Sequence, residues 1–181
     1  GDDQPEARQY VRKIHRASNT ILEGARMEDA FSRGDTVKCI DAYAFLRAME
    51  SGLKCRFSGQ VFFKSVPSKI MIETDPELLE DAIDGIFSNA IDFATTITLR
   101  VYEVGEDCVI DISNNGQLIP EAHLKIIFDY GVSERATDSE AHHGIGLFSV
   151  ASRIRALGGT ITAENRKEDG VAFIVRVPVI K

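Results

Sequence analysis

The chain has no tryptophan, and only three cysteines and five prolines among its 181 residues. Cys39, Cys55 and Cys108 are unevenly spaced, without a Cys-x-x-Cys pair. That excludes a disulfide scaffold and leaves structural thiols of a reducing, cytoplasmic compartment as the expectation. Basic residues are also short: 21 Lys and Arg against 28 Asp and Glu, a net charge of −7. With no basic cluster, neither a nucleic-acid surface nor an anionic-membrane surface is expected. The apolar runs are too short to cross a bilayer and no signal peptide is visible. His142-His143 is the only histidine pair, and two neighbours on one short loop do not make a metal site without carboxylates or thiols placed to help.

What is present is ordinary globular material, 44% hydrophobic and 27% charged, enough for a sizeable core. Gly1 followed by a polar start suggests a chain that begins inside a longer protein. The lack of spans therefore leaves a membrane anchor in the parent open.

Residues 5 to 33 read as one long helix, with Tyr10, Val11, Ile14, Ala17, Ile21, Leu22, Ala25 and Ala30 at helical spacing. A single narrow stripe predicts packing on another helix, in this chain or a partner. Asp41 is expected to cap a second helix, Ala42 to Ser51. Gln60–Phe63 and Lys69–Ile72 read as a strand pair around Pro67-Ser68. Thr74-Asp75-Pro76-Glu77 opens a helix to about Ala94, with Leu79, Ile83, Ile86, Ala90, Phe93 and Ala94 on its buried face. Thr96–Val104 and Cys108–Ser113 form a hairpin, Asn114-Asn115-Gly116 a turn, and Pro120 opens a helix to Phe128. A polar loop leads to Gly144-Ile145-Gly146 and a helix, Phe148–Leu157; Thr160–Asn165 and Val171–Val177 make a last hairpin. This order predicts an α/β (α+β) two-layer sandwich, a mixed or antiparallel sheet with its helices on one face. The expected division is a helical segment, 1–37, before a domain at 38–181.

Two places could carry chemistry. Glycines at the mouth of a helix let a ligand approach free N–H groups and a positive dipole end, which suits phosphate; a tight loop entering a helix fits Gly144 and Gly146 equally well. On the helix opened by Pro76, Asn89 shares a flank with Gly85, and a mid-helix glycine costs about 1 kcal/mol relative to alanine unless another group approaches closely. Asp81 and Asp92 fall near the same flank. An amide oxygen beside carboxylates suits Mg²⁺ when phosphates supply the other oxygens; a solvated acidic flank fits the same residues.

Taken in order, Asp75-Pro76, Asn89-Ala90, Asn114-Asn115-Gly116 with Ile119-Pro120, Ile127-Phe128 with Gly131-Val132-Ser133, and Gly144-Ile145-Gly146-Leu147 form a pattern. It resembles the catalytic and ATP-binding domain of sensor histidine kinases, the GHKL nucleotide-binding fold, over about residues 40 to 181. The resemblance implies that Asn89 binds Mg²⁺ and that the backbone of Gly144, Ile145 and Gly146 closes over the phosphates of ATP with Leu147 packed behind. Asn114 and Gly116 then meet adenine, residues 129 to 143 form a lid carrying Ser133, and Asp92 lies beside the nucleotide. It further implies a homodimer through the N-terminal helix and a response regulator or phosphotransfer protein as partner.

The departures are specific. The adenine-reading carboxylate of the family is Asn114, a neutral amide expected to make a weaker version of the same bond, by about 1 kcal/mol. The last glycine of that box is Leu118. The first asparagine of the helix box is Gly85, and its usual basic residue is Asp92. Related hydrolases place a Glu base one turn before the asparagine; Gly85 cannot act as one, which excludes a water-activating ATPase. His15-Arg16-x-x-Asn19 is similar to a phosphoacceptor box, but no full hairpin fits after His15, so the phosphoacceptor is expected outside this chain. Two functions stay open: an ATP-binding kinase domain presenting a γ-phosphate, or a degenerate, non-catalytic member kept as a binding or phosphotransfer module.

Overall fold

The computed structural model describes residues 36–91, 93–129 and 146–180. The expected helix over 5–33, His15, Asp92, and the loop with Ser133, His142, His143, Gly144 and Ile145 lie outside the described residues. No helix among the described residues is long and apolar enough to cross a membrane.

The first strand, β1 (Lys38–Asp41), has no counterpart in the sequence reading; it pairs antiparallel with β3 (Met71–Thr74) in a two-stranded sheet. Asp41 ends the strand and caps α1 (Ala42–Arg56), its Oδ1 accepting the Tyr43 N–H at 3.0 Å and the Ile70 N–H at 3.3 Å. The helix was expected to stop at Ser51 but passes through Gly52. Leu53 on the next turn is fully buried, and burying a leucine stabilises by about 1.5–3 kcal/mol, more than the roughly 1 kcal/mol an interior glycine costs. Lys54 pairs with Glu50 at 2.7 Å, and Arg56 holds Asp84 of the next helix through two contacts, 2.8 and 3.2 Å.

The expected pairing of the two short strands is overturned. β2 (Gln60–Phe63) runs parallel to β4 (Thr96–Val104), Gln60 opposite Thr96 and Phe63 opposite Leu99. After Phe63 the chain stays on that edge, with Lys64 N–H on Leu99 O at 2.9 Å and Val101 N–H on Ser65 Oγ at 2.7 Å. A connection that continues one ladder for two more residues is no hairpin turn, so β3 is delivered to β1 instead.

The main sheet has five strands in the order β2-β4-β5-β7-β6, with β5 (Asp107–Asn114), β6 (Thr160–Arg166) and β7 (Gly170–Pro178). Its pairings beyond β2 are all antiparallel, so the sheet is mixed, as expected. Alternation sorts its two faces. Ile97, Leu99 and Val101 of β4, Cys108, Ile110 and Ile112 of β5, and Val171, Phe173, Val175 and Val177 of β7 join one core with the helices. Their alternates Arg100, Asp111 and Ser113 point to the far face, where Arg100 and Arg166 close on Asp111. Burial, with Glu103, Asp107 and Asp41 nearby, pushes the Cys108 thiol up to about 12, so it is a core residue and not a nucleophile.

α2 (Pro76–Ile91) starts as its sequence foretold: Asp75 Oδ1 accepts the N–H of Glu77 and Leu78 at 3.0 and 3.1 Å. Its buried face is Leu79, Ala82, Ile83, Ile86, Phe87 and Ala90. Phe93, expected on that face, is 51% exposed, because the helix proper has ended and Phe93 and Ala94 both fold back onto Ala90 O. The helix expected from Pro120 to Phe128 is a run of tight turns, closed by His123 N–H on Pro120 O, Ile126 and Ile127 N–H on His123 O, and Asp129 N–H on Ile126 O. Ile127 and Phe128 are drawn into the core, Phe128 edge-to-face on Phe173 at 6.3 Å. α3 (Gly146–Ala156) begins two residues earlier than expected. It ends in a Schellman turn, with Gly159 N–H on Ile154 O, Gly158 N–H on Arg155 O and Gly158 at φ 73°.

Candidate functional site

The site is built where the end of α2, the end of β5 and the start of α3 meet. α2 and α3 touch at Gly85: a Cβ placed there would lie 2.5 Å from Val150 Cγ2. Close approach is thus the reason for the mid-helix glycine. Asn89 follows Gly85 by four residues and Gly146 precedes Val150 by four, so each lies about 6 Å along its helix from that contact. Leu147 is partly buried and packs against the core. A Cβ built at Gly146 meets none of the described atoms within 4 Å. Packing among the described residues therefore does not demand glycine at this position, the first of α3, and a helix N-terminus is a place that suits an anion.

Asn89 is half-buried on α2, and its amide makes no hydrogen bond to a described residue. Among the described residues no cluster of three or more His, Cys, Asp or Glu side chains is placed to hold a metal. A hard cation here would be held by the Asn89 oxygen together with oxygens of the bound phosphates, a donor set that suits Mg²⁺. Asp81, expected near this flank, is exposed.

At the other wall, Asn114 closes β5 on the core face, opposite Ile97 and Val171. Its Oδ1 accepts the Gly116 N–H at 3.0 Å in an Asx turn. Gly116 is required for that turn, since a Cβ on it would lie 2.8 Å from Asn114 Oδ1 and 3.4 Å from Phe93 O. The Asn114 oxygen keeps a second lone pair, and Nδ2 is a donor. Leu118, expected beside the base, is 52% exposed.

Two residues that the sequence reading passed over hold this wall in place. Asn115 Oδ1 accepts the N–H of both Thr95 and Thr96 at 2.9 Å, and its Nδ2 donates to Thr95 Oγ1 at 2.9 Å, tying the turn to the exit of α2. Asn165 of β6 grips Ile119 from both sides, accepting its N–H at 3.0 Å and donating to its carbonyl at 2.6 Å. Asn-Asn-Gly is legible as a turn, but nothing near Asn165 in sequence signals a partner 46 positions away.

Asn89, Asn114, Gly116, Gly146 and Leu147 are therefore carried by three elements that the packing brings together; Asp92, Ser133, Gly144 and Ile145 lie outside the described residues.

Comparison with known proteins gives the family and the fold. Residues 74–181 match the family described as histidine kinase-, DNA gyrase B-, and HSP90-like ATPase. The chain is 32% identical over 146 residues to the sensor histidine kinase DpiB of Escherichia coli, covering 75% of this chain and 25% of that protein. It is 36% identical over 120 residues to the sensor protein KdpD of Clostridium acetobutylicum, covering 63% of this chain and 13% of that protein. The chain thus spans a quarter or less of the length of these relatives. In fold it is similar to the ATP binding domain of PrrB from Mycobacterium tuberculosis, with TM-score 0.66 at 23% identity, covering 81% of this chain and 99% of that one. It is likewise similar to the catalytic domain of the histidine kinase ThkA, with TM-score 0.65 at 22% identity, covering 78% and 95%. The family match over residues 74–181, falling on the elements that build the site, shows that this chain belongs to the histidine kinase-, DNA gyrase B- and HSP90-like ATPase family.

Proposed function

We propose that this chain is the ATP-binding catalytic part of a two-component sensor histidine kinase, holding Mg-ATP and presenting its γ-phosphate to a phosphoacceptor histidine outside the chain. The observation that carries the proposal is a family match over residues 74–181 that falls on the Asn89 helix, the Asn114–Gly116 turn and the N-terminus of α3, with α2 and α3 in contact at Gly85 and Val150. Bound Mg²⁺ would neutralise phosphate charge as it develops. The chain's own work is placement: Asn89 turns its amide oxygen to the metal, Gly146 and the α3 N–H groups hold phosphate oxygens, and the Asn115 and Asn165 clamps fix the base wall. In this reading Gly144 and Ile145 continue the phosphate wall, and Asp92 and Ser133 lie beside the nucleotide.

Gly85 supports transfer to an external acceptor over hydrolysis. It has no side chain to activate water, and Val150 fills the space where one would stand. The second reading, a degenerate binding or phosphotransfer module, draws on Asn114, a neutral amide where the family presents a carboxylate.

ATP titration with and without Mg²⁺ separates the two. Binding at sub-millimolar nucleotide, strengthened by Mg²⁺, is expected, and no binding at millimolar nucleotide defeats the kinase reading. Asn89→Ala should weaken the Mg²⁺-dependent part about tenfold, some 1.4 kcal/mol, with metal-free affinity unchanged. An unaltered Mg²⁺ dependence would remove Asn89 from the site.

The helical stripe over 5–33 supports a homodimer built through residues 1–37, with a response regulator or phosphotransfer protein as the downstream partner. Light scattering should show a dimer for the whole chain and a monomer for a chain starting at residue 38. A dimer that persists without the segment contradicts the assignment.

A further inference from the structure

Residues 117–120 follow the Asn114–Gly116 turn and belong to no helix or strand. No ladder sets their place, and at Ile119 a side chain of β6 does so instead. Asn165 Oδ1 accepts the Ile119 N–H at 3.0 Å, and Asn165 Nδ2 donates to the Ile119 carbonyl at 2.6 Å. The pair of bonds fixes the orientation of the amide, since only its oxygen accepts and only its nitrogen donates. It also satisfies both backbone groups of a residue that is 8% exposed, as a neighbouring strand would.

The same hairpin bears on the turn at a second point. Gly170, where β7 begins, has φ 74°, and a Cβ on it would lie 2.3 Å from Asn114 O and 3.0 Å from Asn115 Cα. The β6–β7 hairpin therefore backs the turn itself through Gly170 and holds the chain beyond it through Asn165. The Gly85–Val150 contact that joins the Asn89 helix to α3 is made without either residue.

We propose that Asn165 is a positioning residue for the base end of the nucleotide site. It holds residues 116–119 in place for the base without touching the ligand, and it sets that share of the affinity separately from the metal. The proposal deepens the reading above and rests on it: a nucleoside triphosphate binds with its base at the Asn114–Gly116 turn and its metal at Asn89. An amide that only closes the hairpin changes stability and leaves affinity alone. An amide that places a binding wall changes affinity in the folded protein, because groups that contact a ligand depend on the residues that support them.

The test measures ATP affinity of the whole chain by calorimetry, with and without Mg²⁺, for the parent, Asn165→Ala and Asn165→Asp. Circular dichroism and urea unfolding establish that each variant is folded at the working temperature. Asn165→Ala should weaken ATP binding about tenfold, the scale of a lost hydrogen bond, and by the same factor with and without Mg²⁺. The gain in affinity from Mg²⁺ is then unchanged, the opposite of the result expected for Asn89→Ala. Asn165→Asp keeps the size and the acceptor but has no proton to give the Ile119 carbonyl, so it should lose affinity too. It decides the matter alone if the alanine variant does not fold. Full ATP affinity in a folded variant overturns the proposal and leaves Asn165 to the stability of the hairpin. A loss confined to the Mg²⁺-dependent part also overturns it, since the effect then lies at the metal. If the parent itself binds no ATP, the nucleotide reading fails and the proposal with it.

Discussion

Asp111→Ala is expected to lower the unfolding free energy by about 2–4 kcal/mol, because it strands two arginines on one sheet face. The Asp111 side chain is 2% exposed and lies 2.7 Å from Arg166 Nη1 and 3.7 Å from Arg100 Nη1. Burial alone would draw the Arg166 pKa down, but its hydrogen bonds to Asp111 and Glu164 outweigh that and the net direction is up. Removing one partner of a fully buried pair costs about 3–5 kcal/mol, since the other charge is left uncompensated. Here the loss is smaller for two reasons. Both guanidiniums keep some contact with solvent, and each retains another acid, Asp169 for Arg100 at 2.6 Å and Glu164 for Arg166 at 2.6 Å.

Urea unfolding of the two proteins measures the difference directly. An unchanged midpoint would mean that the network adds nothing to stability. Register places Asp111 on the face of β5 away from Ile110 and Ile112, and hence away from the helices. Nucleotide affinity of the folded variant should therefore match that of the parent. Loss of binding with stability intact would tie the far face to the site, contrary to the arrangement described.

Installing the family's asparagine at position 85 should harm this protein by about 2–3 kcal/mol, the upper range for overpacking a filled contact. The gain of about 1 kcal/mol or less from removing a mid-helix glycine works the other way, but it cannot offset a Cβ 2.5 Å from Val150 Cγ2. Val150 is buried and β-branched, so it has neither room nor an alternative rotamer to yield. Gly85→Asn combined with Val150→Ala should recover at least half of the loss, and the double-mutant cycle isolates the contact. Additive effects of the two changes would show that Gly85 and Val150 do not meet. The glycine that looks like a lost site residue is thus the complement of a valine on the neighbouring helix.

The features legible without coordinates are those written in neighbouring residues. Asp41 and Asp75 stand directly before helical patterns and do cap them. The hairpins at Gly105 and Gly170 are marked by glycines, and both have positive φ. Alternation along Thr96–Val104 and Val171–Val177 predicts which face meets the helices, and with it the mixed two-layer sandwich. Asn89, Asn114, Gly116, Gly146 and Leu147 were nameable because short ordered boxes carry them.

What the residue string could not decide is which distant segments share a contact. β2 and β3 look equally suited to each other, and only the completed sheet shows β2 taking the parallel edge of β4 while β3 goes to β1. Gly52 reads as a helix end until Leu53 is seen filling the core. The clamps at Asn115 and Asn165, the Gly85–Val150 contact and the arginine network around Asp111 all join residues far apart in the chain.

Local rules thus determined the elements, their caps and the family boxes, since propensity, capping and alternation act over a few residues. Tertiary structure alone decided the strand partners, the reason for Gly85 and the clamps that hold the Asn114 turn. Each depends on which atoms fill the remaining space, and that is settled only when the whole core has closed.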